Sequence, residues 1–135
     1  MPDNSEVTRC LARFVAETEL DALPSPVVHQ AKRALVNFFA VALTGRGEGA
    51  IEILLQSLAT FSGGQQATVI GRGARLDALS AAFLNAASAN VLDFCDTHVP
   101  TVIHPTAPVA PALFALGELS ERPRSHTRFR ARRGN

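Results

Sequence analysis

Hydrophobic positions recur with a helical period along most of this chain. Val7, Leu11, Phe14 and Val15 follow at three- and four-residue spacing behind Asp3-x-x-Glu6, which resembles a capping box. Leu23-Pro24 ends that segment, and Ser25-Pro26 restarts the chain with residues favoured at N-cap and N1. Val28, Ala31, Leu35, Phe38, Phe39 and Ala42 then form one face of a second helix, expected to stop near Gly45. Gln30, Lys32, Arg33 and Asn37 hold its opposite face. A third helix is predicted over 50–61, closed by Gly63-Gly64, and Ala67 to Ile70 reads as a short β-type run. Asp77 is placed as the N-cap of a fourth helix over 78–91, where Ala81, Ala82, Ala86, Ala87 and Ala89 let backbones approach closely. That suits an interior helix or one at a subunit contact. A fifth helix is predicted over 106–119. Pro108 suits its first turn, and Pro111 is expected to shift its start or kink it. The expected fold is all-α: a partial helical domain of about five helices with one short β segment near 67–70.

One stretch breaks the pattern. Between apolar flanks, residues 90–112 (NVLDFCDTHVPTVIHPTAPVAPA) place Asp93, Asp96, Thr97, His98 and His104 within twelve positions. Polar groups in an apolar surround need partners, and sites that break local rules are where function is sought first. If the fourth helix continued through it, Asp93 and Thr97 would stand at i and i+4 on one face. His98 and His104 would then arrive on the loop held by Pro100 and Pro105. A carboxylate, a hydroxyl and imidazoles converging in a cleft suit general acid–base work, with histidine as the proton carrier near neutral pH. Plainer readings stand beside this one: Asp96 or Thr97 capping a helix end, and His98 as an exposed or structurally bonded ring. A metal site from Asp93, Asp96, His98 and His104 matches no HxxxH or HExxH spacing. No serine sits in a GxSxG turn, and Gly71-Arg72-Gly73 is too short for a phosphate loop and reads as a turn.

Composition sharpens the picture. With 135 residues there is room for one domain, and the absence of Trp and Tyr favours close-packed helices. Cys10 and Cys95 lack CxxC spacing, so neither a disulfide framework nor a zinc site is expected and a cytoplasmic setting fits. Each is expected to be a buried thiol, Cys95 being the more interesting for its neighbours. No apolar run approaches the roughly 18 residues of a membrane span, and the N-terminus does not read as a signal peptide. Residues 1–121 carry seven Lys or Arg against all twelve acids, a net −5, whereas residues 122–135 carry six Arg and no acid, a net +6.

The residues of the polar cluster resemble a known signature. Leu92-Asp93-Phe94-Cys95-Asp96-Thr97-His98, followed by His104-Pro105-Thr106-Ala107-Pro108-Val109, is similar to the N-terminal signature of the MmgE/PrpD family. That family includes 2-methylcitrate dehydratase, cis-aconitate decarboxylase and iminodisuccinate epimerase. The similarity extends back through the helix 26–45, the 67–76 segment and the small-residue helix 78–89, covering about residues 6–119. It implies a large all-helical domain followed by a smaller α+β domain, in homodimers, with the site between the two. The implied chemistry acts on small di- or tricarboxylates without a metal or other cofactor. Asp93, Thr97 and His104 match positions that line the pocket. The resemblance implies His104 as proton-transfer or substrate-carboxylate partner, Asp93 as its orienting or relaying acid, Thr97 as a hydrogen-bond donor, and Asp96 and His98 as substrate-binding neighbours.

Two departures matter. Cys95 stands where the family usually has an aspartate, and family members are several times longer, with later pocket residues that have no counterpart here. This chain has a single lysine, Lys32, and no tyrosine, whereas a polycarboxylate needs cationic partners. The expected domains are 1–119, the N-terminal portion of the family's helical domain, and 120–135, a disordered arginine-rich tail. The tail's composition suggests translation in a shifted frame of GC-rich DNA, and hence a truncated lyase or isomerase that is inactive alone. A nucleic-acid or anionic-surface contact is the rival account of the tail. The rival account of the whole chain is a non-catalytic helical module for dimerisation or partner binding.

Overall fold

The computed structural model describes residues 4–121. Asp3 of the expected capping box and the basic tail 122–135 lie outside the described residues. The chain divides into two compact units at residue 34/35, and helix α2 runs through the boundary.

The first unit holds α1 (Asn4–Glu17), a 3-10 turn (Leu20–Ala22) and the start of α2 (Ser25–Gly45). The predicted stripe forms on α1 but finds no core within the unit: Val7, Leu11, Phe14 and Val15 are all exposed, Val15 to 78%. About thirty residues cannot enclose an interior of their own. Cys10, expected to be buried, is exposed for the same reason.

The second unit carries the rest of α2, α3 (Gly49–Phe61), an antiparallel hairpin of β1 (Ala67–Val69) and β2 (Ala74–Leu76), α4 (Ala78–Asn90) and α5 (Thr106–Glu121). The all-α expectation holds, with five helices among the described residues and one small sheet. Helix α2 stops at Gly45, as its sequence implies, and glycine is required there on steric grounds. A Cβ there would lie 2.2 Å from the Ser88 carbonyl oxygen and 2.7 Å from Val91 Cγ1, so only glycine lets α2 close on α4. Asp77 caps α4 as expected, its Oδ1 accepting from Ser80 N at 3.0 Å.

β2 was not foreseen, because Ala-Arg-Leu has little strand preference of its own. Pairing and side-chain clamps make it a strand. Gly71 and Gly73, at φ 70° and 62°, turn the chain back so that Val69 meets Ala74. Buried Asn85 on α4 then accepts from Ile70 N and donates to Thr68 O, both at 2.9 Å. Glu118 on α5 accepts from Thr68 N at 2.9 Å and its hydroxyl at 2.8 Å, and pairs with Arg75 at 2.7 Å. Backbone groups that a two-stranded sheet leaves over are thus satisfied by the helices.

The core has two centres. One joins Phe38, Val41 and Ala42 of α2 to Ala89, Cys95, Ala107 and Ala110; the other joins Ile51 and the hairpin's Ala67, Val69 and Leu76 to Ala81, Leu84 and Ala115. The rings of Phe38, Phe39 and Phe114 pack at centroid distances of 5.2–6.3 Å. Asn37, assigned to the polar face of α2, turns inward to donate to the Phe94 carbonyl at 3.3 Å. Pro111 does not shift the start of α5, which begins at Thr106. It is fully buried within the helix, its ring filling the interior. No helix among the described residues is long and apolar enough to cross a membrane.

Candidate active site

The polar cluster is not an extension of α4. The helix ends at Asn90, and Asp93 takes a left-handed conformation at φ 57°, with its N–H donating to Asn90 O at 2.9 Å. Aspartate tolerates that region better than most side chains, so the chain turns here and the i, i+4 relation between Asp93 and Thr97 is lost. The Asp93 side chain is exposed and makes no hydrogen bond among the described residues.

Beyond the turn, a small loop closes on itself. His98 N donates to Ile103 O at 2.8 Å in an isolated antiparallel bridge, and the His98 ring turns to Thr101 Oγ1 at 2.7 Å. Val102 sits at φ 54° in this loop, a strained position for a β-branched residue. His98 is therefore engaged within its own loop. Closure of that loop returns His104 to the start of the segment. Its Nδ1 lies 3.1 Å from Thr97 Oγ1 and 3.2 Å from Cys95 Sγ. Cys95 also donates to Asn90 Oδ1 at 3.2 Å, and Thr97 Oγ1 lies 3.3 Å from the Cys95 carbonyl. Burial pushes the Cys95 thiol up from its ordinary value, and the nearby carboxylates of Asp93 and Asp96 add to the effect. Cys95 is buried as expected and stays a neutral thiol.

Asp96 has a different task. Its Oδ2 accepts from the Thr106 hydroxyl at 2.6 Å and its Oδ1 from Thr106 N at 3.3 Å. Thr106 opens α5, so Asp96 caps that helix from ten residues upstream, a variant of the capping role weighed above.

An open hollow of about 350 Å³ lies beside these groups, walled by Ala86, Ala87 and Asn90 of α4, by His104, and by Ala107 and Pro108 of α5. Methyl-sized side chains leave the room that larger ones would fill. Of the candidate residues, then, Thr97 and His104 come together with Cys95 and Asn90, and His104 and Asn90 line the hollow. Among the described residues, no side-chain hydrogen bond joins Asp93, Asp96 or His98 to that group. Among the described residues no three His, Cys, Asp or Glu side chains gather as a metal site would require. Asn90 was not foreseen. Its signal is its place in the last turn of α4, directly before a segment rich in hydrogen-bonding groups.

Residues 9–130 match the family model of the MmgE/PrpD N-terminal domain. The chain belongs to the MmgE/PrpD family. The matched span contains every candidate residue and continues to residue 130, so the change of composition at residue 122 does not coincide with its end. Among curated relatives, the cis-aconitate decarboxylase of Mus musculus is 30% identical over 113 residues, 83% of this chain and 23% of that protein. The cis-aconitate decarboxylase of Aspergillus terreus is 29% identical over 115 residues, 85% of this chain and 24% of that protein. A cis-aconitate decarboxylase-like protein of Aspergillus oryzae is 27% identical over 116 residues, 86% of this chain and 24% of that protein. The chain spans about a quarter of the length of these curated relatives.

Proposed function

We propose that this chain supplies the N-terminal helical part of a pocket in which a small di- or tricarboxylate is deprotonated next to a carboxylate, leading to decarboxylation, dehydration or epimerisation. The observation that carries this reading is the contact of His104 with Thr97 at the edge of the hollow between α4 and α5. His104 is the proton-transfer group. Thr97 is its hydrogen-bonding neighbour and Asp93 the carboxylate available for proton relay. Asp96 acts on the site through the start of α5, and His98, held by Thr101 in the 98–103 loop, is left as a substrate-binding neighbour in the full enzyme. Membership of the family and the cis-aconitate decarboxylases among the relatives support the lyase class and the carboxylate substrate.

Charge defines what the described part of the site does not supply. Among the described residues the lining of the hollow holds no lysine or arginine, while Arg72 and Arg75 are paired with Glu52 and Glu118, each at 2.7 Å. A substrate with two or three negative charges needs cationic partners. We assign those to the remainder of a family-length enzyme, which makes the isolated chain inactive; a homodimer is the working assembly that the family resemblance implies.

Reconstitution tests this. The chain is combined with the C-terminal portion of a family member and assayed on cis-aconitate, 2-methylcitrate and iminodisuccinate. Turnover of one of them, abolished by His104→Ala, is the expected result. No turnover of any, with a folded complex present, removes the proposal. The exposed stripe Val7, Leu11, Phe14 and Val15 favours a second reading, a non-catalytic association module. That reading predicts a stable dimer of the chain alone, dispersed by Phe14→Glu and indifferent to carboxylates.

A further inference from the structure

We propose that Cys95 is a positioning residue for His104. Together with Thr97 and Asn90 it holds the imidazole as the Nδ1–H tautomer, leaving Nε2 as the atom that accepts a proton or hydrogen bond from an occupant of the hollow. This rests on His104 being the proton-transfer group, as assigned above.

The assignment follows from counting hydrogens. Nδ1 of His104 faces Thr97 Oγ1 at 3.1 Å and Cys95 Sγ at 3.2 Å. Each of those partners owns one hydrogen and has a second neighbour that can only accept. For the Thr97 hydroxyl it is the Cys95 carbonyl at 3.3 Å; for the Cys95 thiol it is Asn90 Oδ1 at 3.2 Å. Once Thr97 donates to the carbonyl and Cys95 donates to Asn90, both turn lone pairs towards Nδ1. All four contacts are then satisfied if, and only if, Nδ1 carries the proton and shares it between oxygen and sulfur. The opposite tautomer offers a single lone pair on Nδ1 to two donors, and strands the carbonyl or the amide oxygen without a hydrogen. A thiolate does not enter the count, because burial and the neighbouring carboxylates of Asp93 and Asp96 keep Cys95 protonated.

The other edge of the ring completes the argument. Both hydrogen bonds that the imidazole makes among the described residues are at Nδ1, while His104 is one of the residues that line the hollow. Nε2 is therefore the ring nitrogen left for a ligand, and fixing the proton on Nδ1 makes it a base. A free histidine side chain in water prefers the opposite tautomer, with the proton on Nε2. A preference for Nδ1–H is thus a signature of this arrangement, one that packing alone would not produce.

The test needs neither substrate nor the rest of the enzyme. The full 135-residue chain is labelled with 15N-histidine, and long-range 1H–15N spectra are recorded at a pH where imidazoles are neutral. The His104 signals are those lost in His104→Gln. We expect a protonated, pyrrole-type Nδ1 and a bare, pyridine-type Nε2. Cys95→Ala is expected to weaken the preference, Cys95→Ser to restore it, and Cys95→Ala combined with Thr97→Val to give the mixture of a free side chain. An Nε2–H majority in the unmodified chain overturns the inference even if every variant fails to fold. A preference unmoved by Cys95→Ala in a folded chain removes Cys95 from the role. Turnover by the reconstituted enzyme without the Nδ1–H signature discards this inference alone, whereas the signature without turnover discards only the assigned activity.

Discussion

Asp96 lies in the middle of the polar cluster, and its carboxylate is engaged by one residue, Thr106. The stronger contact is the 2.6 Å bond from the Thr106 hydroxyl; the 3.3 Å contact from Thr106 N is at the long end of the useful range. A hydrogen bond to a charged acceptor is worth about 1.5–3 kcal/mol, and loss of a helix N-cap costs about 1 kcal/mol. Because Asp96 is half-buried rather than enclosed, and one bond is long, the two contributions do not add in full. Asp96→Ala is expected to destabilise the chain by about 1.5–2 kcal/mol. Asp96→Asn keeps an acceptor oxygen and is expected to cost about half as much. Thr106→Val should cost about 1 kcal/mol, and the pair in a double-mutant cycle should show a coupling of about 1 kcal/mol. The chain has no Trp or Tyr, so urea unfolding is followed by far-UV circular dichroism. At this size the loss from Asp96→Ala corresponds to a melting shift of about 5–10 °C. Additive effects of Asp96→Ala and Thr106→Val, or an Asp96→Ala variant within about 0.5 kcal/mol of the parent, would refute the cap. A purely substrate-binding Asp96 predicts just that unchanged stability, with the loss appearing in KM of the reconstituted enzyme.

Two further outcomes follow from the packing and the charges. Gly45→Ala forces a Cβ against the Ser88 backbone, and is expected to cost about 1–3 kcal/mol by the same unfolding assay. Gly47→Ala, with open space around it, should be neutral or stabilising by up to about 1 kcal/mol, and equal losses at both positions would contradict the close-approach account. Burial works to raise the Glu118 carboxyl, but Thr68 N–H, the Thr68 hydroxyl and Arg75 outweigh it and hold it below its ordinary value of 4.5. A carboxyl depressed in the folded state contributes stability that is complete above the ordinary carboxylate range and lost as pH falls through the folded value. Asp77 is lowered in the same sense, chiefly by Ser80. Unfolding free energy is therefore expected to fall on acidification below about pH 4.5, and less steeply in Glu118→Gln; an unchanged acid slope in that variant would contradict the linkage.

Local signals carried much of the secondary structure. Ser25-Pro26, Gly45 and Asp77 mark helix ends in the sequence to within a residue or so, and Asp77 does so by capping, which acts within a few residues. The polar cluster was legible as a candidate site for the same reason: five hydrogen-bonding side chains crowd a short stretch between apolar flanks. What the individual groups do was not legible. Asp93 and Val102 take left-handed conformations that no local rule demands, and those turns break the helix, fold the 98–103 loop onto itself and carry His104 back to Thr97 and Cys95. Likewise β2 is a strand because β1, Gly71 and Gly73 return it to register, and Asn85 and Glu118 have partners only because α4 and α5 pack across the hairpin. The amino-acid order alone determined the helices, the Asp77 cap and the stretch in which the candidate site lies. The tertiary structure decided which of those residues meet, since contacts across seven to fifty residues depend on how the 93–104 segment turns and how α4 and α5 close on each other.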